Sequence, residues 1–201
     1  MARLREQKKV LRKFVLAGRD GLSPAERAAG SAAILARFTA LPEVAAAGSI
    51  FCFAAFGSEV ETVPLMRWVL ASHKALGVPL IVGPGQMESR QVTDPDRDLA
   101  PGNWQIPEPD KDLPALSPYV LDVIVVPGST FGKDGSRIGY GGGFYDAYLE
   151  RASQAWRVAV AYDVQILNRL PQSGHDLPMD VIVTETRVLR PARGRAAQAK
   201  G

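Results

Sequence analysis

Residues 126–151 read Val-Pro-Gly-Ser-Thr-Phe-Gly-Lys-Asp-Gly-Ser-Arg-Ile-Gly-Tyr-Gly-Gly-Gly-Phe-Tyr-Asp-Ala-Tyr-Leu-Glu-Arg. The run Leu121 to Val126 that leads in is short, mostly apolar and β-branched, as a buried strand is. The segment that follows sets Tyr145, Tyr148 and Leu149 at helical spacing. Between them, four glycines fall within the five residues Gly139 to Gly143. Strand, glycine loop and helix in that order are the ground plan of an anion cradle. Glycines let backbone N–H groups turn inward, and the helix brings its positive N-terminal end to the same spot. Arg137 adds a side-chain cation, and Asp146, in the first helical turn, offers a carboxylate to a Mg2+ that bridges phosphate oxygens. A tight turn beneath a helix is the plain alternative. The spacing is not Gly-x-x-x-x-Gly-Lys-Ser/Thr, and Phe144 occupies the last position that Gly-x-Gly-x-x-Gly requires of a glycine, so neither common nucleotide motif is present.

Working outward from the loop, the chain alternates short β-rich runs with helical ones, which predicts an α/β fold. Strands are expected at Ser49 to Ala54, Pro79 to Val82, Glu88 to Val92, Val120 to Val126, Arg157 to Ala161 and Asp180 to Thr184. A helix is expected over Leu4 to Ala17 with Val10, Leu11, Phe14 and Val15 as its apolar stripe. Another begins at Ser23-Pro24-Ala25-Glu26, a capping serine, a first-turn proline and the glutamate of a capping box, and runs to about Thr39. A third spans Val63 to Leu76 and stops at Gly77. The polar, proline-rich stretch Asp94 to Pro118 is long for a bare loop and is expected to cross the carboxyl ends of the strands, where open α/β sheets bind ligands. No internal repeat is visible.

The length, 201 residues, suits one full core, so residues 1–189 read as a single domain and 190–201 as a flexible basic tail. With 46% hydrophobic and 22% charged residues, a disordered or fibrous chain is excluded. The only cysteine, Cys52, sits in the apolar run Ile50-Phe51-Cys52-Phe53 and reads as a core residue; no disulfide framework or cysteine zinc cluster can form, which fits a reducing cytoplasm. The basic N-terminal segment lacks the apolar core of a leader, and no apolar stretch reaches membrane-spanning length. The net charge of +3 conceals a split. Residues 1–20 hold seven Lys/Arg against two acids and residues 187–201 five against none, leaving twelve against nineteen between them. An acidic body argues against a nucleic-acid surface. Oligomeric state is not legible.

Five blocks occur in one order: Lys8-Lys9-Val10-Leu11-Arg12; Ser58-Glu59-Val60-Glu61-Thr62; Trp104-Gln105-Ile106-Pro107-Glu108-Pro109; Arg137 to Asp146; and His175-Asp176 followed by Asp180 to Glu185. With them the chain resembles the 5-formyltetrahydrofolate cyclo-ligases, also called 5,10-methenyltetrahydrofolate synthetases, over nearly its whole length. The fourth block is the most specific. The resemblance implies a three-layer, Rossmann-like domain similar to the sugar-phosphate isomerase and CoA-transferase fold group. It also implies an ATP- and Mg2+-dependent conversion of 5-formyltetrahydrofolate to 5,10-methenyltetrahydrofolate with ADP and phosphate as products.

By the same resemblance, Lys8 and Arg12, with Lys9, Val10 and Leu11 between them, belong to the ATP site. Their i to i+4 spacing independently puts both cations on one helix face; a solvated basic face is the plain reading. Arg137, Ile138, Gly139, Tyr140, Gly141, Gly142, Gly143, Phe144 and Tyr145 correspond to the phosphate loop, with Arg137 and Tyr145 in catalytic positions. Tyr140 to Phe144, Ala54 and Glu59 correspond to folate contacts, Glu59 because a carboxylate can accept from the adjacent N–H donors of a pterin. Phe53 and Phe56 line a pterin slot or pack in the core, and Trp104 stacks on a planar ring or packs beneath the long loop. Asp146 and Asp176 correspond to metal ligands. The family commonly has Phe-Asp where this chain has Phe131-Gly132, leaving a carboxylate missing near the loop unless Asp134 replaces it. Two other functions stand beside cyclo-ligation: a nucleotide- or folate-binding paralogue without turnover, and a phosphosugar-handling enzyme of the same fold group.

Overall fold

The computed structural model describes residues 2–171 and 177–192. Among them the helices are α1 (Ala2–Asp20), α2 (Pro24–Thr39), α3 (Pro42–Ala46), α4 (Val63–Ala71), α5 (Pro95–Asp98) and α6 (Phe144–Arg151). The strands are β1 (Ser49–Cys52), β2 (Ala75–Gly83), β3 (Gln86–Val92), β4 (Leu99–Pro101), β5 (Pro107–Pro109), β6 (Val123–Val126), β7 (Thr130–Gly132), β8 (Arg137–Ile138), β9 (Trp156–Val160), β10 (Ile166–Leu167), β11 (Val181–Val183) and β12 (Val188–Leu189). Seven of these form a central sheet in the order β12-β11-β9-β6-β1-β2-β3. The five inner strands are parallel, and the two edges, β3 against β2 and β12 against β11, are antiparallel. This is the mixed α/β architecture expected from the alternating pattern.

The period of two along each strand feeds two cores. Ile50 and Cys52, Val123 and Val125, Val158 and Val160, and Val181 and Val183 join Ile34 and Phe38 of α2 and Leu65, Met66 and Val69 of α4 on one face. The intervening Phe51, Ile124, Val126, Ala159 and Ile182 join Tyr148 and Leu149 of α6 on the other. Strands buried on both faces read as unbroken apolar runs, as parallel strands do. Cys52 is one of these core residues, and burial pushes its thiol well above the ordinary range, so it is an inert packing group.

Two local expectations, the end of the third helix and the apolar stripe of α1, are corrected. The helix expected over Val63 to Leu76 ends at Ala71, and β2 begins at Ala75 after a turn in which His73 takes φ 56°. Gly77 is therefore no helix stop. It lies mid-strand, where a Cβ would run into the Ser89 hydroxyl and come within 3.3 Å of Phe51, so close approach within the sheet demands the glycine. The apolar stripe of α1 is split: Val15 is buried, while Val10 and Phe14 are 60% and 73% exposed. The stretch from Asp94 to Pro118 is not bare loop. It holds α5 and the β4–β5 hairpin, and hydrogen bonds such as Leu116 N to Ser89 O at 2.9 Å dock it on β3. The capping box of α2 forms as expected, with Glu26 N donating to Ser23 Oγ at 3.2 Å and Ser23 N donating to the Glu26 carboxylate at 2.8 Å. Of the C-terminal stretch from Arg190, Arg190 pairs with Glu43 at 3.1 Å and Pro191 is buried; residues 193–201 and Asp176 lie outside the described residues. No helix among the described residues is long and apolar enough to cross a membrane.

Candidate active site

Strand β1 has β2 on one side and β6 on the other, so the chain reverses its direction of sheet growth here and the loops after β1 and β6 diverge. That divergence leaves a crevice at the carboxyl ends, the usual ligand position of an open α/β sheet. The crevice is a cavity of about 560 Å3. Phe53, Ala54, Phe56 and Glu59 enter it from the loop after β1, and Arg137 to Asp146 enter from the segment after β6. Lys8 and Arg12 of α1 line it too, as do Trp104, Ile106, Pro107 and Glu108 of the hairpin segment.

The glycine loop forms the polar end. Gly141 and Gly143 take φ of 106° and 72°, values that side-chain-bearing residues avoid. Gly143 is the N-cap of α6 and supplies no side-chain cap, leaving the helix N–H groups open to an anion. Arg12 donates through Nε to Gly139 O at 2.9 Å, tying α1 to the loop. Arg137 donates to Pro127 O at 3.1 Å and to the Asp146 carboxylate; its side chain is only 6% exposed, although it borders the cavity. Arg12 therefore meets the loop, and Lys8, on the same helix face, lines the same cavity. Lys9, Val10 and Leu11 are not among the residues lining this cavity, because they occupy other faces of the same helix.

The other end is built around Glu59, only 7% exposed. Tyr140 donates its hydroxyl proton to Glu59 Oε1, and Phe56 N donates to Oε2 at 3.1 Å. Burial raises the Glu59 carboxyl above the usual carboxylate range, against the opposing pull of these two bonds and of the Arg19 charge. The Tyr140 ring, 37% exposed, meets Phe56 at 5.5 Å between centroids. Tyr145 borders the cavity too. Its hydroxyl is buried and makes no protein hydrogen bond, and burial, with Cys52 and Glu59 nearby, raises its pKa well above the ordinary value, so it stays a proton donor. Trp104 is 73% exposed and, at φ 54°, presents its ring at the cavity rim, so packing beneath the long loop is ruled out for it.

One residue of this network was not singled out from sequence. Arg19, at the end of α1 and 4% exposed, donates through Nη1 to the Tyr140 hydroxyl at 2.7 Å and through Nε to Ser58 Oγ at 2.9 Å. The signal was there: Arg19 is seven residues beyond Arg12 and eleven beyond Lys8, so one helical stripe carries all three. Asp134, by contrast, accepts from Ser136 N at 3.1 Å within its own turn and does not line the cavity, so it does not supply a carboxylate there in place of Gly132.

For a divalent cation near the phosphates, Asp146 is an available oxygen donor: its carboxylate is half exposed, borders the cavity and stands in the first turn of the uncapped α6. Mg2+ shared with phosphates takes one or two protein carboxylates and keeps waters, so this donor fits it. No cluster of three or more His, Cys, Asp or Glu is found among the described residues, so an all-protein metal cage is not part of this site there.

The profile of the 5-formyltetrahydrofolate cyclo-ligase family matches residues 4–185. The 5-formyltetrahydrofolate cyclo-ligase of Escherichia coli (strain K12) is 28% identical over 179 residues, covering 85% of this chain and 96% of that protein. That of Mus musculus is 31% identical over 147 residues, covering 68% of this chain and 72% of that protein. Among solved structures, the NMR structure of Aquifex aeolicus 5,10-methenyltetrahydrofolate synthetase superposes with a TM-score of 0.81 at 35% identity, covering 91% of this chain and 92% of that one. The Mycoplasma pneumoniae 5,10-methenyltetrahydrofolate synthetase shares the fold, with a TM-score of 0.72 at 22% identity.

Proposed function

The chain belongs to the 5-formyltetrahydrofolate cyclo-ligase family, and from that premise we propose how its cleft performs the ATP-dependent closure of 5-formyltetrahydrofolate to 5,10-methenyltetrahydrofolate. The observation that carries the reading is one cavity whose lining joins cations and a glycine loop, Lys8, Arg12, Arg137 and Gly139 to Gly143, with apolar side chains and a buried carboxylate, Phe53, Ala54, Phe56 and Glu59. The nucleotide phosphates lie against the glycine loop, with Lys8, Arg12 and Arg137 offsetting their charge. The pterin lies against Phe53, Ala54 and Phe56, and Glu59 accepts from its N–H donors. The formyl oxygen attacks the γ-phosphorus and the bond to the β-phosphate oxygen breaks, releasing ADP; N10 then closes on the activated carbon, phosphate leaves with the former formyl oxygen, and the N10 proton is lost. Such a transfer asks the protein for alignment and charge stabilisation more than for covalent help.

Each side chain has a defined task in this reading. Arg137, held by Pro127 O and Asp146, presents fixed guanidinium protons to the transferred group. Tyr145, a buried hydroxyl with no protein acceptor, supplies a hydrogen bond to an oxygen that becomes more negative during the reaction. Tyr140 to Phe144 border both substrates because the loop lines the cavity and Tyr140 reaches Glu59. Asp146 would hold Mg2+, with Asp176 as the second carboxylate, and the ion would supply further neutralisation of phosphate charge. Five parallel strands with helices on both faces support grouping the domain with the Rossmann-like sugar-phosphate isomerase and CoA-transferase folds. A single buried cysteine supports a cytoplasmic setting.

The test is direct. Methenyltetrahydrofolate absorbs in the near ultraviolet where the formyl substrate hardly does, so purified protein should produce that band from 5-formyltetrahydrofolate only when ATP is present. Binding of either ligand without growth of the band would overturn the reading in favour of a non-turning-over paralogue.

A further inference from the structure

We infer that Arg19 is a positioning residue for the folate end of the cleft: it fixes the direction of the Tyr140–Glu59 hydrogen bond and so holds Glu59 as an acceptor. The inference rests on the reading of Glu59 as the pterin-facing carboxylate.

Arginine has only donors, and a tyrosine hydroxyl has one proton. Because Arg19 Nη1 donates to Tyr140 Oη at 2.7 Å, the Tyr140 proton is free to point elsewhere, and the group it meets is Glu59 Oε1. Phe56 N donates to the other oxygen at 3.1 Å. Both Glu59 oxygens thus face donors, the pattern of an ionised carboxylate, and their remaining lone pairs are left for a ligand. Arg19 Nη1 also lies 4.0 Å from Glu59 Oε1, and its guanidinium is 5.9 Å from the Tyr140 ring centroid. Ser58, which receives the Arg19 Nε–H, passes its own proton to Asp20, so the guanidinium is oriented from a second side.

The groups facing the Glu59 side chain are Arg19 from α1, Tyr140 from the glycine loop and Tyr145 from α6; the Tyr162 hydroxyl reaches only its backbone carbonyl, at 3.5 Å. Arg19 is the cation among them, and it opposes the burial that otherwise favours the neutral acid. The same helix binds Gly139 O through Arg12, so α1 holds two adjacent residues of the glycine loop.

The experiment compares Arg19→Met, Arg19→Lys, Tyr140→Phe and Glu59→Gln with wild type by steady-state kinetics from about pH 5 to 9, following the near-ultraviolet band. Arg19→Met should raise KM for 5-formyltetrahydrofolate about tenfold at neutral pH, leave KM for ATP within about twofold, and move the acidic limb of kcat/KM for folate upward by about one pH unit, a tenfold change in ionised fraction. Arg19→Lys, which keeps the charge, should restore the acidic limb. Tyr140→Phe, which breaks the bridge while Arg19 remains, should move KM for folate in the same direction and provides the test if the Arg19 variants do not fold. An unmoved acidic limb in Arg19→Met, or equal losses for ATP and folate, would overturn the inference and leave Arg19 a structural residue. If Glu59→Gln impairs folate use while Arg19→Met and Tyr140→Phe do not, the inference alone falls. If Glu59→Gln has no effect on folate, the reading of Glu59 falls and takes the inference with it.

Discussion

The guanidinium of Arg137 donates to the carboxylate of Asp146, joining the strand that enters the glycine loop to the first turn of the helix that leaves it. The pair brackets the uncapped N-terminus of α6, so cation, carboxylate and helix end converge on one volume. An anion entering that volume competes with Asp146 for Arg137, and a divalent cation competes with Arg137 for Asp146. Substituting either residue alone separates these roles.

Arg137→Ala should leave the fold intact and raise the ATP concentration needed for half-maximal rate at least about tenfold, because charge-assisted bonds to phosphate are worth about 1.5–3 kcal/mol each. An ATP titration of the purified variant checks it. A wild-type curve would remove Arg137 from the phosphate site.

Asp146→Asn should shift the Mg2+ dependence of the rate to higher concentration and be partly rescued by excess Mg2+, since a hard cation loses an anionic oxygen while side-chain shape is nearly kept. Saturation at the wild-type Mg2+ concentration would assign the metal elsewhere.

Glu59→Gln should impair folate use and hardly change ATP binding, which two calorimetric titrations of one variant compare. It also carries a stability signature. Burial raises the folded-state pKa of Glu59 above the ordinary 4.5, so the folded chain keeps a proton that the unfolded chain gives up. That contribution to stability is complete below about pH 4.5 and is lost as pH rises through the folded value. The melting temperature of Glu59→Gln relative to wild type should therefore increase as pH is raised from below that window to above it. A pH-independent difference would mean that Glu59 titrates normally.

Gly77→Ala should destabilise the protein by about 1–3 kcal/mol in urea unfolding, because the added methyl group meets Ser89, Leu116 and Phe51 inside a packed sheet. A neutral result would show that the β2–β3 pair yields easily at this point.

Phe14→Ser should change stability by no more than about 0.5 kcal/mol despite removing a large aromatic, because the ring is 73% exposed. A loss of several kcal/mol would mean that the ring is buried in solution.

The amino-acid sequence by itself determined the α/β class, the strand–loop–helix unit around Gly139 to Gly143 and the pairing of Lys8 with Arg12 on one helix face. These are local properties, set by side-chain period, glycine content and helical repeat over a few residues. It also carried the family, because Arg137 to Asp146 and the other four blocks are read in order along the chain. The helix stop at Ala71, the exposure of Phe14 and the folding of 94–118 into a docked hairpin were decided by tertiary structure. Val63 to Leu76 has enough apolar residues for either a helix or a strand, and only pairing with β1 and β3 assigns its last two residues, Ala75 and Leu76, to the sheet. The Arg19–Tyr140–Glu59 chain lay furthest from view, since its members are 121 and 81 residues apart in sequence. A buried arginine and a buried glutamate each look like solvated surface charge until the fold removes water from both, and the direction of the bonds between them exists only once Tyr140 stands between Arg19 and Glu59.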